Sequence, residues 1–152
     1  MFNIALYQPD IPQNTAAIIR LCSCFNTTLE IIEPCGFNLN DKRLKRVAMD
    51  YFHKSKIIIH RSYEEFLIKK KNSRIILMTT KAKKNYNNFK FNRKDTLLFG
   101  RESEGVPKKV HNNSYQSLKI PLKKKTRSLN IGMAVAITLS EALKQNNFFQ
   151  ND

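Results

Sequence analysis

Short apolar runs alternate with amphipathic stretches along the whole chain, and this alternation is the feature that most restricts its fold. Buried strands separated by helices are typical of a mainly parallel sheet with helices covering both faces. The sequence shows no internal repeat and no long linker, so its 152 residues predict a single α/β domain over 1–152. The apolar runs lie at residues 2–7, 29–32, 56–60, 74–80, 96–99 and 118–122.

Amphipathic segments between these runs have the apolar spacing of helices. Ser62 and Glu65 have the spacing of a capping box, which predicts a helix from Tyr63 to Lys70. The segment 81–94 is instead polar, basic and aromatic, and we predict no regular element there. The other predicted helices lie at 15–25, at 41–51, from Pro107 onward, and at 128–146.

The charge of the chain is strongly positive. It carries 27 Lys and Arg against 12 Asp and Glu, a net charge of +15, which favours a nucleic acid or an anionic membrane surface as partner. The richness in Lys, Asn, Ile and Phe also indicates a biased genome, so ordinary solvated surface explains many lysines equally well. No apolar run reaches the ~18–20 residues that cross a bilayer, and no signal peptide is recognisable, so we expect a cytoplasmic protein.

Common catalytic and cofactor motifs are absent from the sequence. It contains no G-x-G-x-x-G, no P-loop and no G-x-S-x-G, which argues against dinucleotide binding, P-loop NTPase activity and α/β-hydrolase chemistry. The three cysteines lack C-x-x-C spacing and the three histidines lack H-x-x-x-H spacing. We therefore expect no disulfide framework and no metal site.

Polar clusters follow three of the predicted strands, at the edge where open α/β sheets bind their ligands. The first cluster extends over 12–20 and contains Asn14 and Arg20. Asn14 is consistent with an ordinary helix cap, and Arg20 with a surface cation. The apolar residues around Arg20 favour a second interpretation, in which its stem is partly buried and its guanidinium points toward a ligand.

The second cluster, 98–107, is bracketed by Gly100 and Gly105, two of the four glycines in the chain. Because glycine has no Cβ, the backbone there can turn sharply and approach a ligand closely. An ordinary strand-to-helix turn explains the same spacing. The glycines alone leave these two interpretations open.

The third cluster, 120–132, combines cations with the start of a helix. Ser128 is predicted to cap the last helix, with Asn130 in its first turn. Residues 123–127 contain four cations directly before this helix N-terminus. Such an arrangement suits a phosphate or another anion.

Together, the three clusters resemble the three motifs of the SPOUT class of RNA methyltransferases, and most closely the small tRNA 2′-O-methyltransferases that act on the wobble nucleotide. Residues 14–22 resemble motif 1, residues 99–107 motif 2, and residues 127–130 motif 3. Three motifs in this order are far more specific than any one of them. The resemblance runs nearly end to end and includes residues 3–7, 31–34, 41–44 and 50–51.

The resemblance implies S-adenosylmethionine as methyl donor and the ribose 2′-hydroxyl of cytidine or uridine 34 of tRNA, expected to be leucine tRNA, as acceptor. It also implies a homodimer and a trefoil knot in the C-terminal third, which topology rules alone would not predict. The cofactor would be held largely by backbone groups, which agrees with the absence of a side-chain nucleotide motif. By match to the family, the cofactor contacts are Met78, Gly100, Ile120, Ser128 and Leu129.

The resemblance assigns activation of the 2′-hydroxyl to Arg20, with Asn14 orienting Arg20 or the ribose. Glu102 and Asn130 would complete the hydrogen-bonding shell. A guanidinium has a pKa above ~12 and releases its proton reluctantly. Whether Arg20 or Glu102 accepts the proton is therefore open, and Arg20 is equally suited to polarise the hydroxyl or to hold the adjacent phosphate.

By the same analogy, the motif 1 helix and the final helix would pack across a two-fold axis, each site borrowing residues from the partner. The segment 81–94 is expected to hold tRNA phosphates. Its aromatic residues are suited to stack on bases, but we favour a role as anchors of the loop. The further cations expected to hold phosphates are Lys42, Arg43, Lys45 and Arg46, and the aromatic residues are Tyr86, Phe89 and Phe91.

Two alternatives remain at this stage. One is 2′-O-methylation of a different tRNA or rRNA ribose by the same chemistry. The other is a non-catalytic RNA-binding protein, which would use the same charge. That second alternative leaves the two motif glycines and the set Arg20, Glu102 and Asn130 without an explanation.

Overall fold

Parallel strands form one sheet at the centre of the protein. The computed structural model describes residues 2–48, 51–123 and 125–150, without the side chains of Phe52, His53 and Gln150. The strands are β1 Asn3–Tyr7, β2 Thr28–Ile32, β3 Ile57–His60, β4 Ile75–Met78, β5 Lys84–Asn85, β6 Thr96–Phe99 and β7 Gln116–Lys119. Their order is β3-β2-β1-β6-β4-β7-β5, and every neighbouring pair is parallel.

Helices cover both faces of this sheet. They are α1 Pro12–Cys24, α2 Lys42–Ala48, α3 Tyr51–Lys54, α4 Tyr63–Lys69, α5 Lys108–Asn113 and α6 Ile131–Gln145, with 3₁₀ turns at Tyr86–Asn88 and Phe148–Gln150. Side chains of a strand point alternately to its two faces. Ile4 and Leu6 accordingly belong to the core under α1, α2 and α6, whereas Ala5 belongs to the core under α4 and α5. The predicted α/β class with a mainly parallel sheet is confirmed.

Two helix starts differ from the sequence prediction, and both differences concern candidate site residues. Helix α1 begins at Pro12 and not at residue 15, because proline has a helical φ and lacks only an N–H that the first turn leaves unpaired. Asn14 is therefore inside the helix, and its interpretation as a cap is wrong. Helix α6 is capped by Asn130, whose Oδ1 accepts from the N–H groups of Gly132 and Met133 at 2.8 and 3.4 Å. Ser128 is not the cap.

Other predicted elements are shifted or incomplete. The segment 81–94 contains the two-residue edge strand β5, and the run at 118–122 corresponds to β7 at Gln116–Lys119. The predicted helix 41–51 is observed as α2 and the beginning of α3, and its residues 49–50 lie outside the described residues. Val47 of α2 is 56% exposed.

An ion pair connects strands at the amino ends of the sheet. Arg74 directly precedes β4, and its Nε and Nη2 donate to the carboxylate of Asp95, which directly precedes β6, at 2.7 and 2.6 Å. Asp95 is 1% exposed. The pair lies at the end of the sheet opposite to the three motif clusters.

Candidate active site

A cavity of about 550 Å³ opens at the carboxyl ends of the central strands. The strands β1, β6, β4 and β7 are successive neighbours in the sheet, so the loops that follow them converge over one edge. Eight of the predicted site residues line this cavity: Asn14, Met78, Gly100, Glu102, Ile120, Ser128, Leu129 and Asn130. The structure thus brings together the three loops that the sequence singled out.

A chain of hydrogen bonds connects the three motifs across the cavity. The Nδ2 of Asn14 donates to Oε1 of Glu102 at 3.3 Å, and the Nδ2 of Asn130 donates to Oδ1 of Asn14 at 3.0 Å. The side chain of Asn130 also caps α6. Each of the three groups is therefore oriented by another motif, and the carboxylate of Glu102 is fixed within the cavity.

The loop 100–105, which we call the motif 2 loop, is closed by two backbone hydrogen bonds. Arg101 and Gly105 exchange N–H···O bonds of 2.9 Å in both directions. Gly105 has a φ of +68°, a left-handed conformation that glycine adopts without strain. A Cβ at Gly100 would lie 2.7 Å from the carbonyl carbon of Gly105. Both glycines are consequently required by the turn itself.

The loop between β1 and α1 contributes a residue that the sequence analysis did not single out. The Asp10 carboxylate accepts from Nε and Nη2 of Arg101 at 3.1 and 2.7 Å, and from the backbone N–H and hydroxyl of Ser103 at 3.1 and 2.6 Å. The backbone N–H of Asp10 donates to Oε2 of Glu102 at 2.8 Å. Hydrogen bonds from Arg101 and Ser103 lower the pKa of Asp10 below its usual 3.8.

The walls of the cavity combine apolar and polar residues in similar proportion. His111 of α5 also lines the cavity and was not predicted. In the sequence, only the position of His111 four residues after Pro107, in the helix that follows the second cluster, indicates that it could lie near the site. The remaining apolar lining residues are Ile11, Phe99, Val106, Leu122, Ile131 and Ala134.

Arg20 does not line the cavity of its own chain. It follows Asn14 by six residues in α1, about 9 Å along the helix axis and on a different face. Its side chain is exposed. Its guanidinium carbon lies 5.3 Å from the ring centroid of Tyr51, within the range of a cation–π contact.

The candidate RNA-binding residues divide into exposed cations and buried rings. Lys42, Arg43 and Arg46 of α2 are exposed. Phe89 and Phe91 are only 8% and 2% exposed, so they anchor their loop in the core and are not available for base stacking. The cations around residue 125 are exposed, and Lys124 lies outside the described residues.

The described part of the chain offers neither a membrane-spanning helix nor a cluster of metal-binding side chains. None of the helices there is both long enough and apolar enough to span a membrane. Among the same residues, no group of three or more His, Cys, Asp or Glu side chains is placed to hold a metal ion.

The parallel sheet has a cavity over its central strands, and the hydrogen-bond chain Glu102–Asn14–Asn130 joins three separate motifs across it. The model of the SpoU rRNA Methylase family matches residues 1–140. The chain belongs to this family. SpoU methyltransferases have the C-terminal trefoil knot, so the predicted fold class is confirmed.

Close relatives match almost the whole chain. A tRNA (cytidine(34)-2′-O)-methyltransferase of Beijerinckia indica is 43% identical over 144 residues, 93% of this chain and 90% of the relative. The Escherichia coli K12 protein of the same name is 37% identical over 147 residues, 95% of this chain and 94% of the relative. A solved structure concerned with 2-OH methylation of C/U34 on tRNA superposes with a TM-score of 0.92, at 34% identity and 97% coverage of both chains.

Proposed function

We propose that this protein transfers a methyl group from S-adenosylmethionine to the ribose 2′-hydroxyl of nucleotide 34 of tRNA, a cytidine or a uridine. Membership of the SpoU family supports the reaction class, and the names of the near full-length relatives support the position. The observation that carries the proposal is the convergence of the three motif loops on one cavity, with Glu102 held between Asn14 and Asp10.

The cavity fits the cofactor in chemistry as well as in position. Gly100 allows the motif 2 loop to close on Gly105 beside the cavity, and Met78 and Ile120 provide apolar walls. Ser128 and Leu129 lie in the loop before α6, also line the cavity, and would complete the contacts with the cofactor. The bound cofactor supplies a methyl group on a positively charged sulfur, and this charge is lost during transfer, so an apolar wall does not oppose the reaction.

The chain's own residues have to orient the 2′-hydroxyl and remove its proton. Orientation of a bound nucleophile can account for about 7–11 kcal/mol of a reaction barrier. Glu102 lies in the cavity, and each oxygen of its carboxylate accepts one bond and retains capacity for another. We therefore assign the proton to Glu102, while Asn14 and Asn130 hold the carboxylate and the ribose in place.

In this proposal, Arg20 of one copy of the chain acts in the cavity of a second copy. It is exposed on α1, outside its own cavity. Helices α1 and α6 pack side by side. On α6, Met133 is 60% exposed and Ile137 is 37% exposed. An apolar face of this kind suits a homodimer, in which Arg20 would reach the cavity of the other copy and polarise the hydroxyl or hold the adjacent phosphate.

The exposed cations of α2 would hold the phosphates of the tRNA, since phosphate contacts position a nucleic acid without reading its sequence. Lys42, Arg43 and Arg46 form an exposed basic surface on this helix. The proposal also includes a cytoplasmic location and leucine tRNAs as substrates, both from the resemblance to the family.

Calorimetry with S-adenosylhomocysteine distinguishes the methyltransferase from a non-catalytic RNA-binding protein. The proposal predicts binding in the micromolar range, whereas no heat at high micromolar ligand would favour RNA binding alone. Mass mapping of methylated nucleosides in a deletion strain then tests the position. Loss of the 2′-O-methyl group at nucleotide 34 supports the proposal, and loss at another tRNA or rRNA ribose supports the alternative substrate.

A further inference from the structure

Asp10 contacts both sequence neighbours of Glu102 and Glu102 itself, although it does not line the cavity. Its carboxylate accepts two hydrogen bonds from Arg101 and two from Ser103. Its backbone N–H holds Oε2 of Glu102. The segment 101–103 is therefore attached to the β1–α1 loop at three successive residues.

The position of Asp10 is itself fixed from behind by the loop that follows β2. The N–H of Gly36 donates to the carbonyl of Pro9 at 2.9 Å. A Cβ at Gly36 would lie 3.0 Å from Cα of Asp10 and 3.3 Å from its Oδ1. The close approach of these two loops leaves Asp10 little freedom to move away from the motif 2 loop.

We propose that Asp10 is a positioning residue, which sets the orientation of Glu102 by clamping Arg101 and Ser103 on either side of it. This inference rests on the proposed function, because orientation matters only if Glu102 acts on a bound hydroxyl. A displacement of about 1 Å at a reacting group can lower a rate by about a hundredfold. A group that accepts a proton must be held that accurately by residues outside the cavity.

A purely stabilising ion pair is the competing explanation. The side chains of Asp10 and Arg101 are 19% and 31% exposed, and ion pairs in contact with solvent add little to folding stability. Asp10 also binds both sequence neighbours of Glu102, and these neighbours, Arg101 and Ser103, lie 91 and 93 positions away along the chain. This geometry fits control of the loop better than general stabilisation.

The test is the substitution Asp10→Asn, measured on tRNA methylation with the full-length protein. We expect kcat to fall roughly tenfold to a hundredfold, because the clamp on the motif 2 loop is weakened. The KM for S-adenosylmethionine and the affinity for S-adenosylhomocysteine should change less than about threefold, because Asp10 holds residues 101–103, whereas Gly100, the predicted cofactor contact of this loop, is held by its packing on Gly105.

Asp95→Asn is the matched control, because it weakens a bidentate pair with Arg74 at the other end of the sheet. It should lower the melting temperature at least as much as Asp10→Asn and leave kcat unchanged at 25 °C. Ser103→Ala is the milder second variant, since it removes one hydrogen bond to Asp10 and leaves no charge unpaired. It should retain the fold and lower kcat several-fold.

Coupling between Asp10 and Arg101 provides a further readout. In the double variant Asp10→Asn with Arg101→Gln, the loss in kcat should be smaller than the product of the two single losses. The inference is overturned if kcat is unchanged in Asp10→Asn and Ser103→Ala, if cofactor affinity falls as much as kcat, or if the two losses multiply. In each of those cases wild-type methylation still supports the proposed function, whereas a wild-type protein that does not methylate tRNA overturns both.

Discussion

At the scale of single residues, Gly100 illustrates how the backbone builds the site. Its missing side chain allows β6 to pass within contact distance of Gly105, and the two backbone hydrogen bonds between Arg101 and Gly105 then close the motif 2 loop. The glycines thereby place Glu102 at the cavity. A site made in this way has few conspicuous side chains, which is why no common nucleotide motif is found in the sequence.

Substitution of Gly100 by alanine should damage cofactor binding more than stability. The added methyl group would lie 2.7 Å from the carbonyl carbon of Gly105, so the motif 2 loop has to move. We expect the affinity for S-adenosylhomocysteine to fall at least about tenfold, as measured by calorimetry. Gly105→Ala is the comparison: it meets no atom within 4 Å but has a φ of +68°, so it should cost about 1 kcal/mol of stability and less affinity.

Equal losses of affinity in the two glycine variants would contradict this account of the loop. The steric conflict at Gly100 would then be no more important than the backbone strain at Gly105.

The acid dependence of stability should report the contacts of Asp10. Since these contacts lower its pKa in the folded protein below 3.8, they stabilise the fold above that pH and are lost as the pH falls through the folded-state pKa. The difference in urea midpoint between wild type and Asp10→Asn should therefore be constant from pH 5 to 7 and shrink below about pH 4. A difference that grows toward low pH would contradict the assignment.

At the scale of helices and strands, the prediction from sequence succeeds where burial produces a clear pattern. Strand β6 is buried on both faces and is predicted at its observed bounds, Thr96–Phe99. Strand β5 was missed because a two-residue edge strand has too few residues for any periodicity. The start of α6 was misplaced because Ser128 and Asn130 are both good caps, and only the chain path decides which one faces the free N–H groups.

The candidate site was predictable as three loops but not as a set of contacts. Asn14 and Glu102 follow the neighbouring strands β1 and β6, and Asn130 follows β7, which β4 separates from β6. All three follow carboxyl ends of one parallel sheet, so their convergence follows from the parallel arrangement. Asp10 was missed, since nothing local indicates that its partners lie more than 90 residues away. Arg20 lies outside the cavity of its own chain, and its role from a second copy stays a prediction, because helical spacing does not reveal which face of α1 would meet another chain.

Helix α2 should contribute to tRNA affinity through charge alone. In the double variant Lys42→Gln with Arg43→Gln, we expect a several-fold higher KM for tRNA and a log–log salt dependence that is less steep by about 2. Cofactor affinity should not change. The matched control is Lys69→Gln with Lys71→Gln, which removes the same charge near the end of α4 on the other face of the sheet. The same weakening in both variants would indicate a general effect of net charge.

At the scale of the whole molecule, the separation of Arg20 from its own cavity is the main evidence for a shared site. In the proposed dimer each site combines Glu102 of one copy with Arg20 of the other. Co-expression of Arg20→Ala and Glu102→Gln chains tests this, because a mixed dimer then contains one site with both native residues. Random pairing should restore about a quarter of wild-type activity, although each variant alone is inactive. No restored activity in purified mixed dimers would contradict the shared site.

The size of the chain makes the shared site physically reasonable. A domain of 152 residues with its cofactor cavity at one edge presents a small surface to a tRNA, and two copies double the positive field that attracts it. The trefoil knot of the family is also a property of the whole chain. The prediction of the knot rests on the resemblance to the family, because sequence periodicity predicts helices and strands but not how the chain threads through itself.

The most direct measurement is methylation of tRNA by the purified protein with methyl-labelled S-adenosylmethionine, using substrates that differ only in the sugar of nucleotide 34. The account predicts label at nucleotide 34 of the all-ribose tRNA and none in the tRNA with a 2′-deoxyribose at that position. Equal labelling of the two tRNAs would show that the methyl group goes elsewhere, and would contradict the proposal that these three loops deliver it to this hydroxyl.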